Sequence, residues 1–278
     1  AAVHISDPSW ENHRALFESA GFRVGNYPYY DAAGRGVAFD AMKACLAGLP
    51  AGSIVVLHAC CHNPTGADLS EAQWLEVVEV IRARGLVAFI DMAYQGFADG
   101  IEPDALALRL FAASGLQFLV SSSFSKSFSL YGERVGALSI VTASKDESAR
   151  VMSQVKRVVR TNYSNPPTHG GAVVAAVLSS PELRKLWEEE LAGMRERIRA
   201  MRSGLVDKLK ARGVAQDFSF IAHQRGMFSY TGLTAGQVER LKDEFGIYAV
   251  GTGRICLAAL NSRNLDYVAD AIAAVIKK

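Results

Sequence analysis

Through roughly the first half of the chain, short apolar runs alternate with stretches whose apolar residues recur at helical spacing. Residues 53–58 read as a buried strand. Residues 70–84 read as a helix, with Ser70 at its start and Gln73 three positions on, the pattern of a capping box. Residues 86–91 form the next strand and 103–113 the next helix. Residues 117–121 and 135–141 add two more strands. Alternation of this kind predicts an α/β fold: a large domain with a mostly parallel sheet flanked by helices. The pattern changes after Pro166-Pro167. A long charged helix runs over 181–212, with Pro181 in its first turn and Gly213 at its exit. Strands over 218–222 and 227–230, a helix over 235–245, strands over 247–250 and 254–258, and a helix over 265–278 complete a small C-terminal α+β domain. The boundary falls inside the long helix, giving units of 1–195 and 196–278.

Composition narrows the class. Half of the 278 residues are hydrophobic, enough for a large core. The formal charge of +2 gives no reason to expect nucleic acid as a partner. No apolar run approaches the ~18 residues needed to span a bilayer, so no membrane is expected. No secretory leader is recognisable. The four cysteines are too few and too irregular for a disulfide framework, which makes a cytoplasmic location the default. Residues 1–5 read as a strand already under way with no initiator Met, so a segment upstream is expected.

Ligands of open parallel sheets gather at the carboxyl ends of strands. Three such ends carry polar residues. The first is His58-Ala-Cys-Cys-His-Asn63-Pro-Thr-Gly66, where Asn63 offers an amide to a ligand oxygen or merely closes its own turn. A zinc site on His58, Cys60, Cys61 and His62 is disfavoured, because adjacent cysteines in extended chain face opposite ways. Cys60 and Cys61 fit better as small buried residues, and no metal is expected. The second end is Asp91-Met-Ala-Tyr94. An acid closing an apolar strand needs a partner, and a protonated ring nitrogen would serve. The third runs from Ser121 to Gly136. Lys126 follows an apolar strand between Phe124 and Phe128, so desolvation would make its amine nucleophilic. Arg134, eight residues on, could hold a phosphate in bidentate fashion.

These motifs resemble those of the class I aspartate/aromatic amino-acid aminotransferases, which are fold-type I pyridoxal-phosphate enzymes. The likeness spans essentially the whole chain. It rests on Asp7-Pro-Ser-Trp-Glu-Asn-His13, Cys60-Cys-His-Asn-Pro-Thr-Gly66, Asp91-Met-Ala-Tyr-Gln-Gly-Phe97, Ser123-Phe-Ser-Lys126, Gly132-Glu-Arg134, Arg160-Thr-Asn-Tyr-Ser-Asn-Pro-Pro167, Gly226-Met-Phe-Ser229 and Gly253-Arg254. The resemblance implies that Lys126 holds pyridoxal 5'-phosphate as a Schiff base and shuttles the Cα proton. It implies that Asp91 keeps the pyridine nitrogen protonated, with His13 bonded behind it. Asn63 and Tyr94 would bond the ring's phenolic oxygen, Trp10 would stack on the ring, and Ser123 and Arg134 would hold the phosphate. Arg254 would clamp the substrate α-carboxylate and Phe228 would line the pocket. Arg160 would reach the partner's site in a homodimer. On local sequence alone, Trp10, His13 and Phe228 are as readily packing residues, and Arg160 a charge at a helix end.

The resemblance also carries departures and choices. Family members have an N-terminal segment, with further phosphate-binding residues, that has no counterpart here. Phe124-Ser-Lys-Ser-Phe-Ser-Leu-Tyr-Gly-Glu-Arg134 is closer to the bacterial aromatic branch, whereas Asn165 is closer to the aspartate branch. The expected activity is therefore ping-pong transfer of the amino group of aromatic amino acids and of aspartate or glutamate to a 2-oxo acid such as 2-oxoglutarate. A strict aspartate aminotransferase and a cofactor-free remnant of the fold stand as alternatives.

Overall fold

The computed structural model describes residues 1–277. The described strands are β1 (Ala2–Asp7), β2 (Arg23–Pro28), β3 (Tyr30–Asp31), β4 (Gly36–Val37), β5 (Ile54–His58), β6 (Val87–Met92), β7 (Phe118–Ser123), β8 (Gly136–Val141), β9 (Phe228–Tyr230) and β10 (Arg254–Cys256). Six of them form one sheet in the order β2-β1-β5-β6-β7-β8. All neighbours are parallel except β7 and β8. The fold class is therefore the α/β architecture expected, with its mostly parallel sheet.

Winding proceeds outward from β1 to β2, then returns to the other side of β1 and continues through β5, β6 and β7. The order reverses between β1 and β5, and a crevice opens beyond the carboxyl ends of strands at such a reversal. The chain segments leaving β1, β5, β6 and β7 border that crevice. Register aligns their ends: His58 lies opposite Asp91, and Asp91 opposite Ser121.

One face of the sheet packs Val55, Leu57, Ala88, Ile90 and Val120 against Leu46, Trp74, Ile81 and Phe111 from three helices. On the other face, Val3, Ile5 and Val56 lie under Phe17 of the helix Glu11–Ser19. The predicted capping box is present: Ser70 Oγ accepts from Gln73 N, and the Gln73 side chain accepts from Ser70 N. At the far edge, four of the six residues of β8 are exposed, and the amphipathic helix Lys145–Asn162 beside it buries none of its own.

Several sequence expectations need correction. Residues 218–222 are not a strand: Phe220–His223 is a short helix, with Phe218 and Ile221 buried as its apolar face. Residues 247–250 form no strand, because β9 pairs only with β10. The strand from Arg254 stops at Cys256 and tightens into a 3-10 turn, Leu257–Ala259. The helix expected over 103–113 is two, Ile101–Asp104 and Leu106–Ala113. The long helix, by contrast, is present as expected, as Pro181–Ala211. The last helix is Leu265–Ile276, and Lys278 lies outside the described residues.

The break at Asp104 has a cause. Its buried carboxylate accepts backbone N–H groups from Gly96 (2.8 Å), Ala98 (3.0 Å), Asp99 (2.8 Å) and Gly100 (3.2 Å). It thereby folds the loop that follows Tyr94. Asp104→Ala would strand these donors, and the expected loss of stability is about 3 kcal/mol. Urea unfolding at neutral pH checks this, and a loss near zero would mean that water replaces the carboxylate.

Candidate active site

A cleft of about 150 Å³ lies at the predicted crevice, lined by Trp10, His58, Asn63, Asp91, Tyr94, Ser123, Lys126, Tyr131 and Arg134 among others. Seven of the residues singled out from sequence thus line one cavity. Local folding explains how they meet. The antiparallel return of β8 sets Gly136 opposite Ser123. A Cβ on Gly136 would stand 2.8 Å from the Ser122 carbonyl, so only glycine allows the approach. Phe124 N then donates to the Val135 carbonyl at 3.2 Å. These contacts bring Arg134 back beside Ser123 and Lys126. The intervening loop is pinned from outside, with Phe128 stacked on Trp187 and Trp187 Nε1 donating to the Ser127 carbonyl at 2.6 Å.

Lys126 Nζ lies 4.6 Å from the centre of the Tyr94 ring and 5.6 Å from that of Tyr131. Among the described residues it forms no ion pair. Burial lowers its pKa, and Arg134 adds to that, while Asp91 acts in the opposite direction. The net effect is a larger neutral fraction than a solvated lysine has.

Asp91 is held by His13, whose Nε2 is 3.0 Å from Oδ2. An ionised carboxylate can only accept, so His13 Nε2 donates to Asp91, while the other ring nitrogen, Nδ1, is hydrogen-bonded to Ser9 Oγ at 2.9 Å. Ser121 Oγ adds a longer bond of 3.4 Å. Burial raises the Asp91 pKa, but the bond from His13 and the nearby positive charge, Lys126 included, outweigh it. The carboxyl is held below its ordinary range. Beside it, His58 on the cleft wall and the buried His62 are kept neutral, their pKa values well below the usual histidine range mainly through desolvation.

Asn63 Nδ2 donates to Tyr94 Oη at 3.5 Å, placing two donors on one side of the cleft. Asn63 Oδ1 accepts from Arg254 Nη1 at 3.3 Å. The Arg254 guanidinium lies 4.9 Å over the Phe228 ring. Arg254 and Phe228 therefore join the site from β10 and β9. Neither Arg254 nor Arg134 has a carboxylate within ion-pair distance among the described residues. Among the described residues, Arg134 donates only to the Tyr131 carbonyl, at 2.8 Å. Two arginines at a cleft without acidic partners form a ready anion site.

Arg160 stands apart. It occupies the last turn of the helix Lys145–Asn162, is exposed, and donates to Ser164 Oγ. Within one chain it does not reach the cleft. The cysteines gather elsewhere: Cys60, Cys61 and Asp104 present ligand atoms within 4.8 Å of one another. The Asp104 oxygens are already taken by backbone N–H groups, and burial pushes the Cys61 thiol well up, away from the thiolate that metals bind. The arrangement is that of packing residues.

Comparison with known proteins agrees with this geometry. The family described as aminotransferase class I and II matches residues 1–272. The chain belongs to the class I and II aminotransferases. Aspartate aminotransferase from Pseudomonas aeruginosa is 69% identical over 276 residues, which cover 99% of this chain and 69% of that one. Aromatic-amino-acid aminotransferase from Escherichia coli is 53% identical, over 99% of this chain and 70% of its own. Among solved structures, the aromatic-amino-acid aminotransferase from Burkholderia pseudomallei covalently bound to pyridoxal phosphate is 72% identical, with a TM-score of 0.98 over 99% of this chain and 69% of that one. As an aminotransferase-family member, the chain has a cleft whose features can be read for amino-group transfer.

Proposed function

We propose that this aminotransferase uses pyridoxal 5'-phosphate to move the amino group of aromatic amino acids, and of aspartate and glutamate, to a 2-oxo acid such as 2-oxoglutarate. The observation that carries the reading is Lys126: a half-buried amine of lowered pKa, facing a cleft that also holds the Asp91 carboxylate and Arg134, with Arg254 joined to its wall through Asn63. The residues present fit the cofactor. Lys126 would hold it covalently, Asp91 would accept from its ring nitrogen, and Asn63 and Tyr94 would donate to its ring oxygen. Trp10 would pack on its ring, His13 would fix Asp91, and Ser123 with Arg134 would take its phosphate. When bound, the cofactor supplies an electron sink for charge developing at the substrate Cα.

The chain's own residues then do the rest. Lys126 Nζ carries the proton that leaves the substrate Cα. Arg254 takes the α-carboxylate through two parallel N–H bonds. Phe228 bounds the pocket and helps to exclude water. We assign residues 1–195 to the cofactor-binding unit and 196–278 to a small unit that closes over substrate, carrying Arg254 inward. Arg160 would serve the distal carboxylate of a dicarboxylic substrate in a second subunit. A homodimer is supported by the exposed apolar residues Leu138 on β8 and Met152, Val158 and Tyr163 on or just after the helix that carries Arg160. Among the described residues no helix is long and apolar enough to cross a membrane, and the four cysteines are free, in keeping with a cytoplasmic place.

Relatives of both substrate preferences support the broad reading, since the Pseudomonas protein is an aspartate aminotransferase and the Burkholderia protein an aromatic one. Steady-state kinetics with tyrosine and aspartate test it. The expected result is kcat/KM values within about 100-fold of each other, the range that pocket packing alone discriminates. Turnover of aspartate with none of tyrosine would reject the aromatic part.

A further inference from the structure

The long helix carries a charge where its neighbours predict an apolar side chain. Leu191, Ile198, Leu205 and Leu209 form its buried stripe, and Arg202 lies in the same stripe with 1% of its surface exposed. Its hydrogen bonds go to neutral oxygens. Nη1 donates to the Ile221 carbonyl (3.0 Å) and Ser229 Oγ (2.9 Å). Nη2 donates to the carbonyls of Arg225 (3.1 Å), Gly226 (2.7 Å) and Phe228 (2.7 Å). Burial lowers its pKa to about 10, which still leaves it charged at neutral pH. Among the described residues no carboxylate lies within ion-pair distance of it, and a buried ion so placed is costly, so these acceptors hold it, and in turn it holds them.

All five acceptors fall within residues 221–229. That segment leaves the helix Phe220–His223, turns at Gly226 with φ +77°, and enters β9. Only the planar fork of arginine offers enough fixed donors to gather so many oxygens. The same segment touches the cleft on two sides. Arg225 N donates to the Gly66 carbonyl at 2.8 Å. A Cβ on Gly66 would stand 2.6 Å from the Phe228 carbonyl, and one on Gly226 would stand 2.4 Å from Cys61 Cβ. The turn carrying Asn63 therefore rests directly on the backbone that Arg202 organises. On the other side, β9 sets Tyr230 opposite Arg254.

We infer that Arg202 is a positioning residue for the carboxylate-binding end of the cleft: by fixing the backbone of residues 225–229 it sets where Phe228, Asn63 and Arg254 meet. It touches no substrate. The inference rests on the aminotransferase reading, in which Arg254 binds the substrate carboxylate.

The test compares wild type, Arg202→Met and Arg202→Lys in the cofactor-loaded protein. It uses calorimetric binding of succinate, aspartate kinetics, the cofactor's absorbance and hydrogen exchange. For Arg202→Met, succinate Kd and aspartate KM should rise at least about tenfold, since a displacement of order 1 Å at a site costs as much or more. The kcat should stay within about threefold, the signature of lost binding rather than lost chemistry. Cofactor absorbance should be unchanged, and exchange should quicken over residues 225–230 but not in β5 or β6. Arg202→Lys, which keeps the charge but loses the fork, should fall between. Succinate binding within about twofold of wild type in both variants, by the same logic, overturns the inference. So does a joint fall of kcat, cofactor absorbance and protection throughout the molecule, which marks a merely structural role. If Arg202→Met does not fold, Arg202→Lys decides on the same criteria. Wild-type protein that binds no succinate overturns the reading of Arg254 itself, and the inference falls with it.

Discussion

Lys126→Ala is expected to lower kcat by at least about 10,000-fold, because one amine serves as both covalent anchor and proton carrier, and proton transfer alone contributes up to that much. The fold should survive the change. Nζ forms no ion pair among the described residues, and removing it relieves the desolvation that lowers its pKa. The neutral amine is the nucleophile, so its fraction at neutral pH decides how readily it captures an aldehyde. Lys126→Arg separates charge from reactivity: it keeps a cation near Tyr94 and Asp91 but cannot lose its proton. Both variants should be inactive, with unfolding midpoints near that of wild type. Single-turnover kinetics with aspartate measure the loss. Retention of more than about 1% of the wild-type rate, far above what a missing proton carrier allows, would remove Lys126 from the centre of the chemistry.

What could be read of this site from sequence was what is local. Asp91 and Lys126 follow apolar strands within a few residues, and the parallel register that aligns His58, Asp91 and Ser121 follows from buried strands of similar length. Ser70 and Gln73 announce their helix because a capping box spans three positions. Distant pairings were less legible. Nothing near residues 218–222 shows that Phe218 and Ile221 bury from a helical turn rather than a strand. The antiparallel run of β8, which returns Arg134 to Lys126, depends on Gly136 passing close to the Ser122 carbonyl. Asp104 gives no signal in the sequence because its partners are backbone N–H groups, which leave no trace in side-chain composition. Arg202 was hidden among the arginines of a charged helix. A signal was present nonetheless: Ile198, Arg202, Leu205 and Leu209 recur at the spacing of one apolar face, and an arginine on that face must find acceptors in the core.

Asp91→Asn should cost about 1,000-fold in kcat, at the upper end of what removing one preorganised electrostatic partner costs. Asparagine keeps the shape but cannot hold a proton on the cofactor's ring nitrogen by charge. Two further consequences follow from the groups around it. Asp91 raises the pKa of Lys126 against the effects of burial and Arg134, so its neutralisation should lower that pKa further, and the apoprotein's amine should react with a small aldehyde at lower pH than in wild type. The second consequence concerns stability. The folded pKa of Asp91 is depressed, so its contribution is present above the unfolded pKa of about 3.9 and is lost as pH falls through the folded value. Wild-type stability should therefore drop more steeply than that of Asp91→Asn below about pH 4, the unfolded carboxylate range. Thermal unfolding from about pH 2 to about pH 5, which brackets the unfolded carboxylate value, reads this difference. Parallel curves for the two proteins would mean that His13 does not hold the carboxylate in its ionised form, and the assignment of Asp91 as the charged partner of the cofactor would lose its physical basis.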